Sequence, residues 1–207
     1  MPTFKHQSTG KRFLFIHIPR TAGRFIGANL LKNDCECEQG EGDSLWVMRN
    51  RVELPHYHRE YYEKYLDVEG IPHITVVRNP IDRFISCSIF LSELYGDNLE
   101  ELLEDPMMFS SMLQNFPSTE SVNWFRPQVD FISEKTHIWK FEWGFSNSFG
   151  VWLSDIVGVD IKMRKDMPVA KLPTDESKKV KRSDKLIDNI KSLYRKDIEQ
   201  LYPELAA

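Results

Sequence analysis

The feature that most constrains this chain is a unit that occurs twice: a short apolar run, a polar turn, then a helix-like stretch. In the first copy, residues 12–18 (Arg-Phe-Leu-Phe-Ile-His-Ile) run apolar up to Pro19, as a buried strand does. Residues 24–32 follow with Phe25, Ile26, Leu30 and Leu31 on one helical face. In the second copy, residues 73–77 (His-Ile-Thr-Val-Val) form a strand rich in β-branched residues, and Arg78-Asn79-Pro80 makes the turn. Pro80 sits where a helix starts well, and residues 81–95 carry Ile81, Phe84, Ile85, Phe90, Leu91 and Leu94. Residues Thr136–Phe141 are a third strand candidate, and the roughly 55 residues between the first two strands leave room for a helical crossover. The expectation is an α/β fold, three-layer and P-loop-like, with a central parallel sheet flanked by helices.

Elsewhere, a short helix is expected near Glu60–Leu66, a loop excursion over 33–51 and an acidic helix over 98–105. The clearest helix is the last, near 184–202, where Leu186, Ile187, Ile190, Leu193, Tyr194, Ile198 and Leu201 recur at helical spacing before Pro203. With 207 residues, 41% of them hydrophobic, and no persuasive linker, residues 1–207 read as one domain.

Charge narrows the function classes. The net charge of -4 argues against a dedicated nucleic-acid binder, which carries a basic excess. Local fields differ: residues 162–185 hold nine Lys/Arg against four Asp/Glu, so Lys171 and the Lys178–Arg182 run are candidates for a loop over an anionic ligand. Three cysteines, Cys35, Cys37 and Cys87, do not make a disulfide framework and suit a reducing compartment. No apolar run is long enough to span a bilayer, and the expected location is the cytoplasm.

The turn of the first unit has what a phosphate cradle needs: backbone N–H groups at a helix start, small residues for close approach, and cations. Pro19-Arg20-Thr21-Ala22-Gly23-Arg24 supplies Ala22 and Gly23, the Thr21 hydroxyl and two guanidinium groups. The pattern is not G-x-x-x-x-G-K-[ST], which disfavours an ordinary ATPase or GTPase. In the second unit Arg78 lies at the strand end and Ser86 lies two turns into the helix, so both could take one phosphate. Two such turns suggest a ligand with two separate phosphate groups.

Together these segments resemble the sulfotransferases that use 3'-phosphoadenylyl sulfate (PAPS), particularly the carbohydrate family that includes the heparan sulfate 2-O-sulfotransferases. The resemblance rests on Pro19–Gly23 and on Arg78–Ser86, which fits R-x-P-x-x-R-x-x-S. It extends to His56-Tyr57-His58, Phe125-Arg126-Pro127-Gln128, Lys140-Phe141-Glu142 and Tyr194-Arg195-Lys196-Asp197-Ile198. It implies that Arg20, Thr21, Ala22, Gly23, Arg24 and Phe25 hold the 5'-phosphosulfate of PAPS, while Arg78 and Ser86 hold the 3'-phosphate. The family usually has Lys where this chain has Arg20, and small hydroxyl residues at Arg24 and Phe25. An arginine stays protonated, so Arg20 is restricted to electrostatic and hydrogen-bonding roles.

Sulfuryl transfer to a hydroxyl needs a base that titrates near neutrality, which favours histidine. Of the six histidines, His17 and His73 lie in the apolar runs and read as structural, and His6 and His137 lack supporting context. The resemblance assigns His58 as base and His56 as its substrate-positioning partner. A competing metal site of His56, His58, Cys35 and Cys37 has spacings unlike the usual zinc layouts, and no metal is expected. Arg126 and Gln128 are the candidate acceptor-binding residues, for a glycan or a small alcohol. Two rival readings are a catalytically weak relative that binds PAPS or its product, and a different P-loop-type phosphotransferase.

Overall fold

A computed structural model of the chain describes residues 3–38, 56–95, 103–106, 120–166 and 180–206. A five-stranded sheet runs in the order β3-β1-β2-β4-β5, from β1 (Thr3–His6), β2 (Arg12–Ile16), β3 (Cys35–Cys37), β4 (His73–Val77) and β5 (Thr136–Lys140). β2, β4 and β5 are mutually parallel, with Leu14 opposite His73 and His73 opposite Thr136. β1 is antiparallel to both β2 and β3, so the sheet is mixed rather than wholly parallel. The helices are α1 (Gly23–Lys32), α2 (Arg59–Tyr65), α3 (Pro80–Tyr95), α4 (Glu120–Phe125), α5 (Asn147–Val157), α6 (Asp184–Leu193) and α7 (Arg195–Leu201).

The apolar runs explain the parallel strands. β2 is buried on both sides: Leu14 and Ile16 join a core with Tyr57, Tyr62 and Val77, while Phe13 and Phe15 join another with Ile26, Leu30, Phe149 and Leu153. Continuous apolar sequence is the pattern of a strand covered on two faces. All five residues of β4 are buried as well. A third cluster lies among α3, α4 and α6, where Phe84, Ile85 and Ile89 meet Phe125, Leu186, Ile190 and Tyr194.

Two differences from the sequence reading have clear causes. The span 184–202 is two helices, because Tyr194 leaves helical geometry (φ -103°, ψ 29°) between α6 and α7. Its buried hydroxyl donates to the Phe125 carbonyl, and the break turns Asp197 inward with Ile198. The expected excursion at 33–51 begins with β3, a short strand whose Cys35 is buried in the core around Phe4 and Phe13; residues 39–51 lie outside the described residues, as does most of the expected acidic helix over 98–105.

What this fold does for a site follows from its two central strands. β2 and β4 are neighbours and parallel, so the turns after Ile16 and after Val77 leave the same edge of the sheet side by side.

Candidate functional site

The turn after β2 is shaped by backbone conformation. Arg20 (φ 66°) and Ala22 (φ 71°) both lie in the left-handed region, at a cost of about 1 kcal/mol each for residues with a Cβ. The Thr21 hydroxyl donates to the Ile18 carbonyl at 2.8 Å and closes the turn between them. That hydroxyl is therefore committed to the loop itself. Gly23 opens α1, and the His17 ring lies where a Cβ on Gly23 would stand. No acidic residue occupies the first turn of α1, whose leading N–H groups have no partner within the helix and carry the positive end of its dipole. Arg24 is exposed there, and Phe25 packs on Phe145 with ring centroids 5.7 Å apart.

The turn after β4 meets the first one directly. Arg78 Nη1 donates to the Arg20 carbonyl at 3.3 Å, and Arg20 Nε donates to the Ser86 hydroxyl at 3.0 Å. Each guanidinium also covers an aromatic ring, Arg20 over Phe90 at 4.7 Å and Arg78 over Phe141 at 4.6 Å. Burial lowers both arginine pKa values, and in each case a neighbouring arginine adds to the effect. Desolvated cations crowded together in this way favour an anion between or beside them. Asn79 starts α3 by accepting from the Ile81 amide at 2.9 Å, and its own amide donates to Glu142 at 2.6 Å.

Behind the turns stands Arg83, fully buried, which sequence reasoning quoted but gave no role. Its Nε donates to the Pro19 carbonyl (3.1 Å), Nη1 to that of Arg126 (2.9 Å) and Nη2 to that of Trp124 (2.9 Å). One planar cation thus joins the first turn to the end of α4. Gln128, expected to line an acceptor cleft, is 0% exposed and its amide is engaged with the backbone of Arg78. The sequence reading assigned no role to Arg83, Asn123, Glu142 or Asp197, polar residues whose partners are distant in the chain. Asp197 lies four residues after Leu193, three after Tyr194 and four before Leu201, and that place on the apolar face is a signal that could have found it.

The histidines lie alongside. His58 precedes α2, and its carbonyl accepts from the Tyr61 and Tyr62 amides at 3.0 and 3.1 Å. Its ring is 3% exposed, stacks on Tyr61 at 4.5 Å, and has Nε2 without a hydrogen-bond partner among the described residues. Burial, with the Arg126 charge adding, lowers its pKa to about 3, so the imidazole is neutral and, with Nε2 itself buried, does not titrate near neutrality as the sequence reading expected of the base. The His56 ring stands edge-on to His17 at 5.0 Å and to Trp124 at 5.1 Å, and Trp124 stacks on the Phe90 ring beneath Arg20. The Asn123 side chain donates to the His56 carbonyl and accepts from Arg126 Nε at 2.9 Å, and Arg126 also reaches Asp130 at 3.4 Å.

Arg20, Arg78, Ser86 and His56 are therefore linked by direct contacts or by shared rings, and Arg126 and His58 flank them. His73 is structural, with Nε2 on the Val68 carbonyl. Of the basic run, Arg182 pairs with Asp82 at 2.7 Å, while Lys171, Lys178 and Lys179 lie outside the described residues. Among the described residues no group of three or more His, Cys, Asp or Glu side chains is arranged to hold a metal ion, and no helix is long and apolar enough to cross a membrane. Comparison with models of protein families, with curated proteins and with solved structures gives no match.

Proposed function

We propose that the chain is a sulfotransferase that moves a sulfuryl group from PAPS to an acceptor hydroxyl on a carbohydrate or small molecule, using a three-layer, P-loop-like α/β fold. The observation that carries this reading is the pair of cationic turns at the ends of adjacent parallel strands, tied by the Arg78–Arg20 and Arg20–Ser86 hydrogen bonds. In this reading Arg20 to Phe25 hold the 5'-phosphosulfate and Arg78 with Ser86 hold the 3'-phosphate. The cytoplasm, a reducing compartment that suits an odd and sparse set of three cysteines, is the proposed compartment.

The chemistry follows from the groups present. The acceptor oxygen forms a bond to sulfur while the bond from sulfur to the bridging phosphate oxygen breaks, and adenosine 3',5'-bisphosphate leaves. Arg20 and the N–H groups of the first α1 turn stabilise the charge that grows on that phosphate. His58 Nε2 takes the acceptor proton, with His56 and Arg126 positioning the acceptor. In the free protein His58 is a weak base; the negative charge brought by the donor raises its proton affinity when it is needed.

Calorimetric titration with adenosine 3',5'-bisphosphate and with ATP tests the donor. Tighter binding of the bisphosphate is expected, and a preference for ATP would replace this reading with a phosphotransferase. His58→Ala should abolish product formation while leaving bisphosphate binding intact; unchanged turnover would remove His58 as base. A second reading, a binding-competent relative with weak catalysis, is favoured by one observation: Arg20 stands where a lysine is usual and spends its Nε on Ser86. That reading expects bisphosphate binding without sulfated product from the wild-type chain.

A further inference from the structure

We infer that Asp197, acting through Gln128, is a positioning residue for Arg78 and sets the geometry of the proposed 3'-phosphate end of the donor site. The inference rests on the donor reading above. The β4–β5 ladder ends at the pairing of Val77 with Lys140, so Arg78 is the first residue whose backbone leaves the sheet. Its N–H and C=O are then taken by one side chain: Gln128 Oε1 accepts from Arg78 N at 2.9 Å, and Gln128 Nε2 donates to Arg78 O at 2.8 Å. The amide acts as one further rung of the strand, placed after the strand has ended. Only one orientation of the amide satisfies both bonds, because a flipped amide would set donor against donor and acceptor against acceptor.

Asp197 fixes that orientation. Its Oδ2 accepts from Gln128 Nε2 at 3.3 Å and from the Gln128 amide N–H at 2.9 Å, while Oδ1 accepts from the Val129 N–H at 3.0 Å. Both residues are 0% exposed, so the carboxylate does not face a ligand or solvent. A charge at this depth is costly, and a neutral hydroxyl or amide would suffice merely to cap a turn. What the carboxylate adds is acceptors on both oxygens, which hold the Gln128 backbone and the Gln128 side chain together. The guanidinium that results from this placement lies over Phe141 with Nη1 on the Arg20 carbonyl.

A double-mutant cycle on the full-length protein tests this, with adenosine 3',5'-bisphosphate titrated into wild type, Arg78→Ala, Asp197→Asn and the double variant. Asp197→Asn keeps the side-chain volume and loses an acceptor, and about a tenfold loss of affinity is expected from one charged hydrogen bond. If Asp197 acts through Arg78, the double variant binds no more weakly than Arg78→Ala alone. Losses that multiply, or no loss in Asp197→Asn, overturn the positioning role and leave the donor reading standing. A wild-type protein that does not bind the bisphosphate overturns the donor reading itself, and this inference with it. Should thermal melting show that Asp197→Asn is not folded at the assay temperature, Gln128→Met, which removes both bonds to Arg78 at nearly constant shape, takes its place in the cycle with the same criteria.

Discussion

Gly23 has an ordinary backbone angle, so its lack of a side chain is a matter of space alone: the His17 ring fills the volume a Cβ would need. Gly23→Ala should cost about 1–3 kcal/mol, as overpacking does, seen as a lower midpoint in thermal denaturation. Pairing it with His17→Ala should recover most of that loss. His58 and His17 are both held neutral by burial, His58 at about 3 and His17 well below its ordinary value. The unfolded chain binds protons at these imidazoles below about 6.5, where the folded one does not. Stability from His58 is therefore complete above that pH and falls, by at most about 1.4 kcal/mol per unit, as pH drops toward 3. Asp197 and Asp130, whose carboxyl pKa values are raised by burial, work in the opposite direction. His58→Gln isolates the histidine: the stability difference from wild type in urea titrations should be flat above pH 7 and shift steadily below it.

At the scale of elements, the strap after α5 shows how side chains substitute for a ladder. Asn29 on α1 accepts from the Arg164 amide at 2.7 Å and donates to the Arg164 carbonyl at 3.3 Å, and Asn33 does the same with Lys162 at 2.8 and 3.0 Å. Asn29→Ala should cost about 1–3 kcal/mol locally, and hydrogen exchange at the Arg164 amide should rise before that of the β4 amides. Such features mark the boundary of what was legible. β2, β4, α1, α3 and β5 were readable because burial writes period and apolar runs into sequence, and Pro19 and Pro80 punctuate them. β1 was not, since Thr-Phe-Lys-His has no apolar run, and neither was β3, which is three residues long. α5 hid in an aromatic-rich stretch, Asn147 to Val157, that follows a 3-10 turn. Within the site, Arg20, Arg78, Ser86 and the two histidines stood out as chemistry. Gln128 looked like a ligand for substrate, because nothing in a sequence tells whether a polar group spends its bonds on a ligand or on a distant backbone.

Across the molecule, Arg83 joins parts that pack in different clusters: the turn after β2, and the end of α4 beside the core of α3 and α6. Arg83→Met would fill the volume but take a charged donor from three carbonyls, of which that of Trp124 keeps a second donor, the Cys87 thiol, and a loss on the order of 3 kcal/mol is expected from the urea midpoint. Arg83→Lys keeps the charge without the fork and should fall between the two. The sheet itself has a further consequence, in the order of assembly. β1 and β2 form a hairpin through the turn closed by the His6 amide on the Lys11 carbonyl at 2.9 Å, a contact between near neighbours in sequence. The parallel pairings of β2 with β4 and of β4 with β5 join segments far apart along the chain, and such contacts form late because the intervening chain must first be gathered. The two cationic turns exist as a pair only once β2 and β4 are aligned. A ligand that bridges them therefore has nothing to hold on the early part of the pathway, and its stabilisation is expressed as slower unfolding rather than faster folding.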